Sequence, residues 1–146
     1  MAKEYSYGII PYRITNNGVD ILLMKNSKGS LIYNFVKGKI ERNETILECV
    51  KREVLEEIGI NINPFDLEYI VNQNNKRKNI GLYFINWEPY MNIKMVYAFN
   101  EVYTTKWFNI SNLPIIAKNQ NKIITRILER FNNLNFNIRR IQIIKE

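Results

Sequence analysis

Glutamates cluster in the segment 38–60, which reads GKIERNETILECVKREVLEEIGI. At about 100° per residue, Glu53, Glu56 and Glu57 fall within an arc of about 100° on one helix face. Like charges at this spacing repel each other, and a divalent cation removes the repulsion. Mg²⁺ and Mn²⁺ take oxygen ligands and keep positions open for phosphate oxygens. The spacing is therefore compatible with a metal site for a phosphorylated substrate, but taken alone it favours a solvated acidic stripe, and the surrounding residues decide between the two.

The composition narrows the chemistry that is available. The chain of 146 residues has no histidine and one cysteine, Cys49. A disulfide within the chain is therefore impossible, and neither a structural zinc site nor a histidine-dependent triad is expected. The net charge of +7 favours polyanionic partners such as nucleotides or RNA, although a lysine-rich composition alone would give the same charge.

The acidic face needs a helix, and the sequence supplies one with both ends marked. Thr45 and Glu48 match a capping box at its start, and Gly59 stands where a left-handed C-terminal cap belongs, after Ile58. We expect the apolar residues beside the acidic arc to dock this helix on a sheet. These residues are Leu47, Val50, Val54 and Ile58.

The remaining elements alternate between strands and one further helix. Asn16-Asn17-Gly18 predicts a turn between the first two strands. Pro11 is expected to weaken the end of the first strand or to place that strand at a sheet edge. A second helix is predicted from Leu113-Pro114 to about Phe131. This order predicts an α/β (α+β) fold in which a mixed β-sheet lies between helices. Strands are predicted at residues 5–13, 19–24, 66–73, 80–87, 93–99 and 106–108, and a loop at 26–33.

Length and composition also set expectations for the whole chain. We expect one domain over residues 1–146, with the conformation of about 133–146 left open. No apolar run approaches the roughly 18 residues that a membrane-spanning helix needs, and the start MAKEYSYG has no apolar signal segment. A cytoplasmic protein without a membrane partner is therefore expected, and the oligomeric state is not predicted.

The spacing around the acidic helix resembles the Nudix box. Gly38 is followed by Glu44 and then by Arg52-Glu53-Val54-x-Glu56-Glu57-x-Gly59-Ile60, which fills every position of that box. The resemblance is specific over 38–60 and extends over about 5–132. It implies the Nudix fold, and hydrolysis of a nucleoside diphosphate linked to another group by water and a divalent metal, Mg²⁺ or Mn²⁺.

The resemblance also implies roles for individual residues. Glu53, Glu56 and Glu57 look like the metal-binding carboxylates, and the backbone carbonyl near Gly38 looks like a further ligand. Arg52 and Glu44 resemble the pair that organises loop and helix. The segment from Glu101 to Pro114 resembles the late strand of many Nudix enzymes, where a glutamate supplies a further metal ligand or the general base. Glu101 is the candidate here, and an exposed loop glutamate is the alternative.

The substrate contacts are less marked in the sequence. Lys37 precedes the box glycine and is placed to reach a phosphate, and Lys39 and Tyr103 are the other candidate substrate-binding residues. A solvated lysine is an equally good interpretation of Lys37. Where many relatives read Trp-x-Phe-Pro, this chain reads Tyr33-Asn34-Phe35-Val36, so base stacking cannot be assigned there. Four tyrosines have two alternative interpretations, stacking on a substrate base or packing in the core: Tyr33, Tyr83, Tyr97 and Tyr103.

Several substrate classes remain open. The run from Phe35 to Ile40 resembles mRNA-decapping Nudix domains, whereas the start from Ser6 to Arg13 resembles diadenosine tetraphosphate hydrolases and RNA 5′-pyrophosphohydrolases. We favour dinucleoside polyphosphates or RNA 5′ ends over a housecleaning role on free nucleoside triphosphates. A non-catalytic nucleotide- or RNA-binding module is the alternative from another class. Two basic segments, 76–78 and 118–140, are candidates for contacts to an RNA backbone.

Overall fold

A computed structural model describes residues 2–26, 30–97, 103–118 and 120–132. Two helices and six strands are seen there, together with short 3-10 turns at Pro64–Asp66 and Glu88–Tyr90. The candidate Glu101 and the tail 133–146 lie outside the described residues. The elements are β1 (Glu4–Thr15), β2 (Gly18–Asn26), β3 (Val36–Lys39), α1 (Ile46–Ile58), β4 (Leu67–Asn74), β5 (Lys78–Asn86), β6 (Tyr103–Asn109) and α2 (121–132).

The strands form one mixed sheet in the order β4-β5-β1-β2-β6, with β3 paired to β1 off this path. β1 runs parallel to β5 on one side. On its other side it pairs with β3 through residues 6–9 and with β2 through residues 12–15. Pro11 lies between these two stretches, where its missing N–H leaves no ladder bond unmade. The expectation that Pro11 weakens the strand end or marks an edge was therefore wrong, because β1 is an inner strand.

Each face of the sheet buries a hydrophobic cluster beneath one helix. On one face α1 packs Val50, Val54 and Ile58 against residues such as Ile9 of β1. On the other face α2 contributes residues 123, 127 and 131, as its helical spacing predicts. The predicted architecture, a mixed sheet between helices, is thereby confirmed. Within the described ranges, no helix is long and apolar enough to cross a membrane.

Two predicted elements differ from the structure. Residues 93–97 are not a strand: the Val96 N–H donates to the carbonyl of Ile58, so this segment packs against the end of α1. Residues 98–99 lie outside the described part. The second helix begins at residue 121 rather than at Leu113-Pro114, because the backbone before it pairs with Tyr33. The Tyr33 N–H donates to the Ile115 carbonyl, and the Tyr33 carbonyl accepts from the Ala117 N–H.

Candidate active site

Helix α1 begins and ends as the sequence predicts. The Thr45 hydroxyl accepts from the Glu48 N–H at 3.1 Å, and the Glu48 carboxylate accepts from the Thr45 N–H at 3.0 Å. Gly59 adopts the left-handed conformation with φ 70°, and its N–H donates to the carbonyl of Leu55. These caps fix where the helix starts and stops, and hence how its acidic face is oriented.

The buried side of α1 is rotated at its first turn relative to the prediction. Cys49 is fully buried there, and its Sγ lies 3.7 Å from the Gly38 carbonyl oxygen of β3. Burial raises the pKa of the Cys49 thiol to about 12, so it stays protonated. Leu47, which was expected to dock the helix, is 46% exposed, because the first turn directs Cys49 rather than Leu47 toward the sheet.

Strand β3, which the sequence did not predict, places Gly38 directly beneath Glu53. A Cβ added at Gly38 would lie 2.0 Å from the carboxyl carbon of Glu53. The Glu53 carboxylate therefore rests on the bare backbone of Gly38, and it is 8% exposed. This burial raises the pKa of Glu53, while the bond to Arg52 acts in the opposite direction.

Arg52 and Glu44 form the pair that the resemblance implies. Arg52 Nε donates to one Glu44 oxygen at 2.6 Å and Nη2 to the other at 2.9 Å, a bidentate geometry. These bonds hold the pKa of Glu44 down at about 2. Nη2 also donates to the Lys39 carbonyl at 2.9 Å, so Arg52 ties α1 to both the preceding loop and β3.

The third guanidinium nitrogen lies between two of the candidate metal ligands. Arg52 Nη1 donates to Glu53 at 2.7 Å and to Glu56 at 3.2 Å. In the described part of the chain, no three acidic or thiol side chains converge as a ready-made cation cage. The structure thus brings Glu53 and Glu56 together around Arg52, and Nη1 engages one oxygen of each carboxylate.

Glu57 faces a different surface, a cleft of about 410 Å³ that it shares with Lys37. Burial lowers the pKa of Lys37, and repulsion from Lys78 lowers it further, whereas Glu57 and Glu53 oppose the shift. A lysine and a carboxylate at one cleft wall suit a ligand with phosphates and a bound cation. The remaining lining residues are Met24, Lys25, Ser30, Ile32, Asn34 and Phe35.

Asn34 is a cleft residue that the sequence analysis did not single out. Its Oδ1 accepts from the Phe35 N–H at 2.8 Å and from Gln120 Nε2 at 3.1 Å. Gln120 is 3% exposed, so the contact anchors the amide of Asn34 on a buried residue just before α2. Since the oxygen is engaged twice, the amide nitrogen is the group left to donate to a ligand. No sequence pattern marks this pair, because it joins positions 86 residues apart.

The other predicted contacts lie away from the cleft or beyond the described part. Lys39 forms an ion pair with Glu4 at 2.8 Å, and its side chain is 69% exposed. Tyr103 begins β6 opposite Asn26, and its side chain falls outside the described part, as does Glu101. Tyr33 packs edge-on against Phe108 at 4.8 Å between ring centroids, and Tyr83 and Tyr97 pack against the cluster under α1.

Comparisons with known proteins agree on the family. The model of the NUDIX domain matches residues 5–131. NAD-capped RNA hydrolase NudC from Stutzerimonas stutzeri is 29% identical over 108 residues, which are 73% of this chain and 38% of that protein. The mRNA decapping complex subunit 2 from Schizosaccharomyces pombe is 30% identical over 106 residues, 68% of this chain and 14% of that protein. The chain thus spans well under half the length of these relatives.

Among solved structures, one similar fold belongs to a study of MutT from Aliivibrio salmonicida and Vibrio cholerae. The TM-score is 0.69 at 16% identity, over 89% of this chain and 100% of that chain. At this level of identity the likeness concerns the fold, and it agrees with the sheet and the two helices described above.

Proposed function

The chain belongs to the Nudix family, and we propose that it is a hydrolase that cleaves the pyrophosphate bond of a nucleoside diphosphate linked to another moiety. The observation that carries this proposal is the pairing of a complete Nudix box with a cleft at its edge. Glu53 rests on Gly38, and Glu57 shares the cleft wall with Lys37. We further propose that residues 1–146 form a single domain, which the match over 5–131 supports.

We propose Mg²⁺, or Mn²⁺ in its place, as the cofactor. The donors would be Glu53, Glu56, Glu57 and the Gly38 carbonyl, with Glu101 as a further ligand. This set fits a hard cation because every donor is oxygen, and because the bare Gly38 leaves room for the Glu53 carboxylate. When bound, the ion would offset phosphate charge and lower the pKa of an attacking water.

The side chains of the protein would perform the remaining steps. Lys37, with Lys39 and Tyr103 as further candidates, would bind the substrate and hold a phosphate at the cleft wall. Glu101 or Glu57 would accept the proton of a water whose oxygen forms the new bond to phosphorus. The bridging phosphorus–oxygen bond breaks, and its electron pair leaves with the departing phosphate. Arg52, held by Glu44, would keep α1 and β3 in register throughout.

For the substrate we propose RNA 5′ ends or dinucleoside polyphosphates. The two curated relatives described above are named for NAD-capped RNA and for mRNA decapping, which supports the RNA class. The cleft donors Lys25, Lys37 and Asn34 suit an acceptor-rich ligand such as a phosphate chain. Housecleaning of nucleoside triphosphates and a non-catalytic binding module are the competing functions that the experiment below distinguishes.

A substrate panel in Mg²⁺, read by mass spectrometry, tests the proposal. It contains diadenosine tetraphosphate, free nucleoside triphosphates, and triphosphorylated and NAD-capped RNA, all in ¹⁸O water. We expect turnover of the dinucleotide or the RNA, with the label in one product phosphate that identifies the attacked phosphorus. Turnover confined to free triphosphates would favour housecleaning. Binding without any turnover across the panel would favour the non-catalytic module and contradict the proposal.

A further inference from the structure

The sheet gathers lysines from two strands, β3 and β5, at one end beside the cleft. The register places Lys78 of β5 opposite Glu4 of β1. On the other side of β1, Lys39 lies opposite Ser6 and Lys37 opposite Gly8. Directly paired residues point to the same face, so the three lysines share one face. Lys37 and Lys39 are about 7 Å apart along β3, and Lys39 and Lys78 are about 12 Å apart across β1.

This cluster continues into the turn between β4 and β5. Lys3 bonds to the side chain of Asn74, and the Glu4 N–H donates to the Arg77 carbonyl. The Asn75 side chain accepts from the N–H groups of residues 77 and 78, which fixes the shape of the turn. We call the resulting surface the basic end; it consists of Lys3, Lys37, Lys39, Lys76, Arg77 and Lys78.

The charge of the basic end is poorly compensated. Glu4 forms ion pairs with Lys39 at 2.8 Å and with Lys78 at 3.9 Å. Glu57 and Glu53 attract Lys37 at the cleft wall. Lys76 and Arg77 are exposed, and within the described ranges neither forms an ion pair with a carboxylate. Several like charges on one rigid surface raise the local potential and attract a polyanion.

The basic end is continuous with the cleft and with the second basic segment. Lys37 belongs to both the basic end and the cleft wall. Gln73, at the end of β4, accepts from the N–H of Lys122 at 2.9 Å, which anchors the start of α2 beside the same turn. Segments 76–78 and 118–140 are separated along the chain, yet the start of α2 in the second segment lies beside the end of β4 that leads into the turn.

We propose that the basic end binds the phosphate backbone of a single-stranded RNA whose 5′ end occupies the cleft. This inference rests on the proposed function and narrows it to RNA, because a free dinucleotide has no further phosphates beyond its own bridge to place on Lys76, Arg77 or Lys78. An RNA strand supplies a phosphate for each cation along the surface. Such contacts are electrostatic and independent of base sequence.

The test is fluorescence anisotropy with a 3′-labelled, 5′-triphosphorylated RNA of about 12 nucleotides, between about 50 and 200 mM KCl. In Lys76→Gln/Lys78→Gln we expect affinity to fall about tenfold, and the salt slope to decrease by about 1.4, at about 0.7 per lost phosphate contact. The matched control is Lys51→Gln/Lys94→Gln, which removes two exposed lysines outside the basic end and should bind RNA like the wild type. Thermal midpoints of both variants verify folding.

A length series on the wild type tests the same idea without substitution. Affinity should rise as the RNA grows from two to about 12 nucleotides. A flat series, or equal losses of RNA affinity in the two double variants, would overturn the inference. So would a Lys76→Gln/Lys78→Gln variant that loses binding to anionic phospholipid vesicles but keeps its RNA affinity. Turnover of the dinucleotide together with a flat length series would support the proposed hydrolase function and contradict RNA binding at the basic end. Length-dependent RNA binding without any turnover would support RNA binding at the basic end and contradict the proposed hydrolase function.

Discussion

At the residue scale, the absence of a Cβ at Gly38 leaves room for the Glu53 carboxylate in the candidate site. Two glycines of the sheet are tightly packed in different ways: a Cβ at Gly38 would meet the movable carboxylate of Glu53, whereas one at Gly8 would lie 2.0 Å from the backbone oxygen of Val36. The first collision is relieved by rotating a side chain, and the second requires the strands to separate. The two positions therefore separate a functional effect from a structural one.

We predict that Gly38→Ala displaces the Glu53 carboxylate and weakens metal binding by about tenfold or more, the size of effect seen when a group that orients a metal ligand is changed. Electron paramagnetic resonance of bound Mn²⁺ measures this, and urea unfolding should show a much smaller loss of stability than in Gly8→Ala. Equal Mn²⁺ affinity in Gly38→Ala and wild type would show that Glu53 does not bind the metal.

Glu57→Gln keeps the shape of the side chain and removes its charge from the cleft. We expect kcat to fall by at least about a hundredfold, with a change in thermal midpoint of only a few degrees, because the side chain borders the cleft rather than the core. Glu129→Gln, on the exposed side of α2, is the matched control and should keep wild-type kcat. Full activity of Glu57→Gln in Mg²⁺ would contradict the assigned role.

The residue types of the candidate site and the pairing of Arg52 with Glu44 were predictable, whereas the other contacts were not. Helical spacing predicted that Glu53, Glu56 and Glu57 lie within one arc of α1, whereas in the structure Glu57 lines the cleft and the other two contact Arg52. That Arg52 Nη1 bonds to Glu53 and Glu56 depends on how α1 packs on β3, which periodicity does not encode. The link between Asn34 and Gln120 likewise exists only because α2 packs across the sheet.

At the scale of elements, α1 is held at both ends by different means. Its start is closed by its own capping box, which is a local feature of the sequence. Its end is closed twice: Gly59 takes the left-handed cap, and the Val96 N–H bonds the Ile58 carbonyl. The second contact is long-range, so the site helix depends on the segment that crosses its end.

We predict that Gly59→Ala lowers the free energy of unfolding by about 1 to 3 kcal/mol, measured in urea. Alanine is strained at φ 70°, and its Cβ would lie 2.5 Å from the Val96 carbonyl oxygen. Gly59→Asn separates the two causes, since asparagine tolerates the left-handed region but keeps the collision. We expect Asn to destabilise as well, and a wild-type midpoint for it would leave backbone strain as the sole cause.

The elements that the sequence misplaced share a physical reason. Residues 93–97 have apolar side chains in a strand-like run, yet their backbone bonds go to a turn and to the end of α1. Leu113-Pro114 was the predicted start of the second helix, but the backbone that follows it pairs beside Tyr33. In both cases tertiary hydrogen bonds outweigh local propensity, which is modest per residue. The capped helix α1 was predictable because its signals are local.

At the scale of the whole molecule, the acidic groups of the Nudix box and the cations of the basic end lie in different parts of the structure. The Nudix box lies with α1, where acidic groups are compensated by Arg52. The cations of the basic end lie at the end of the sheet and account for much of the net charge of +7. This arrangement predicts that acid weakens the fold through the first group, because protonation of Glu44 weakens the bonds by which Arg52 ties α1 to the preceding loop.

Glu44 should dominate that response. Its pKa in the folded protein is about 2, against an ordinary value of 4.5, so its stabilising effect is complete above about pH 4.5 and is lost as the pH falls toward 2. Glu53 acts in the opposite sense, because its raised pKa favours the protonated folded form. We expect the urea midpoint of the wild type to fall more steeply than that of Glu44→Gln between about pH 6 and pH 3. Glu129→Gln controls for the change in net charge, and parallel curves for wild type and Glu44→Gln would show that the bidentate pair with Arg52 is not formed in solution.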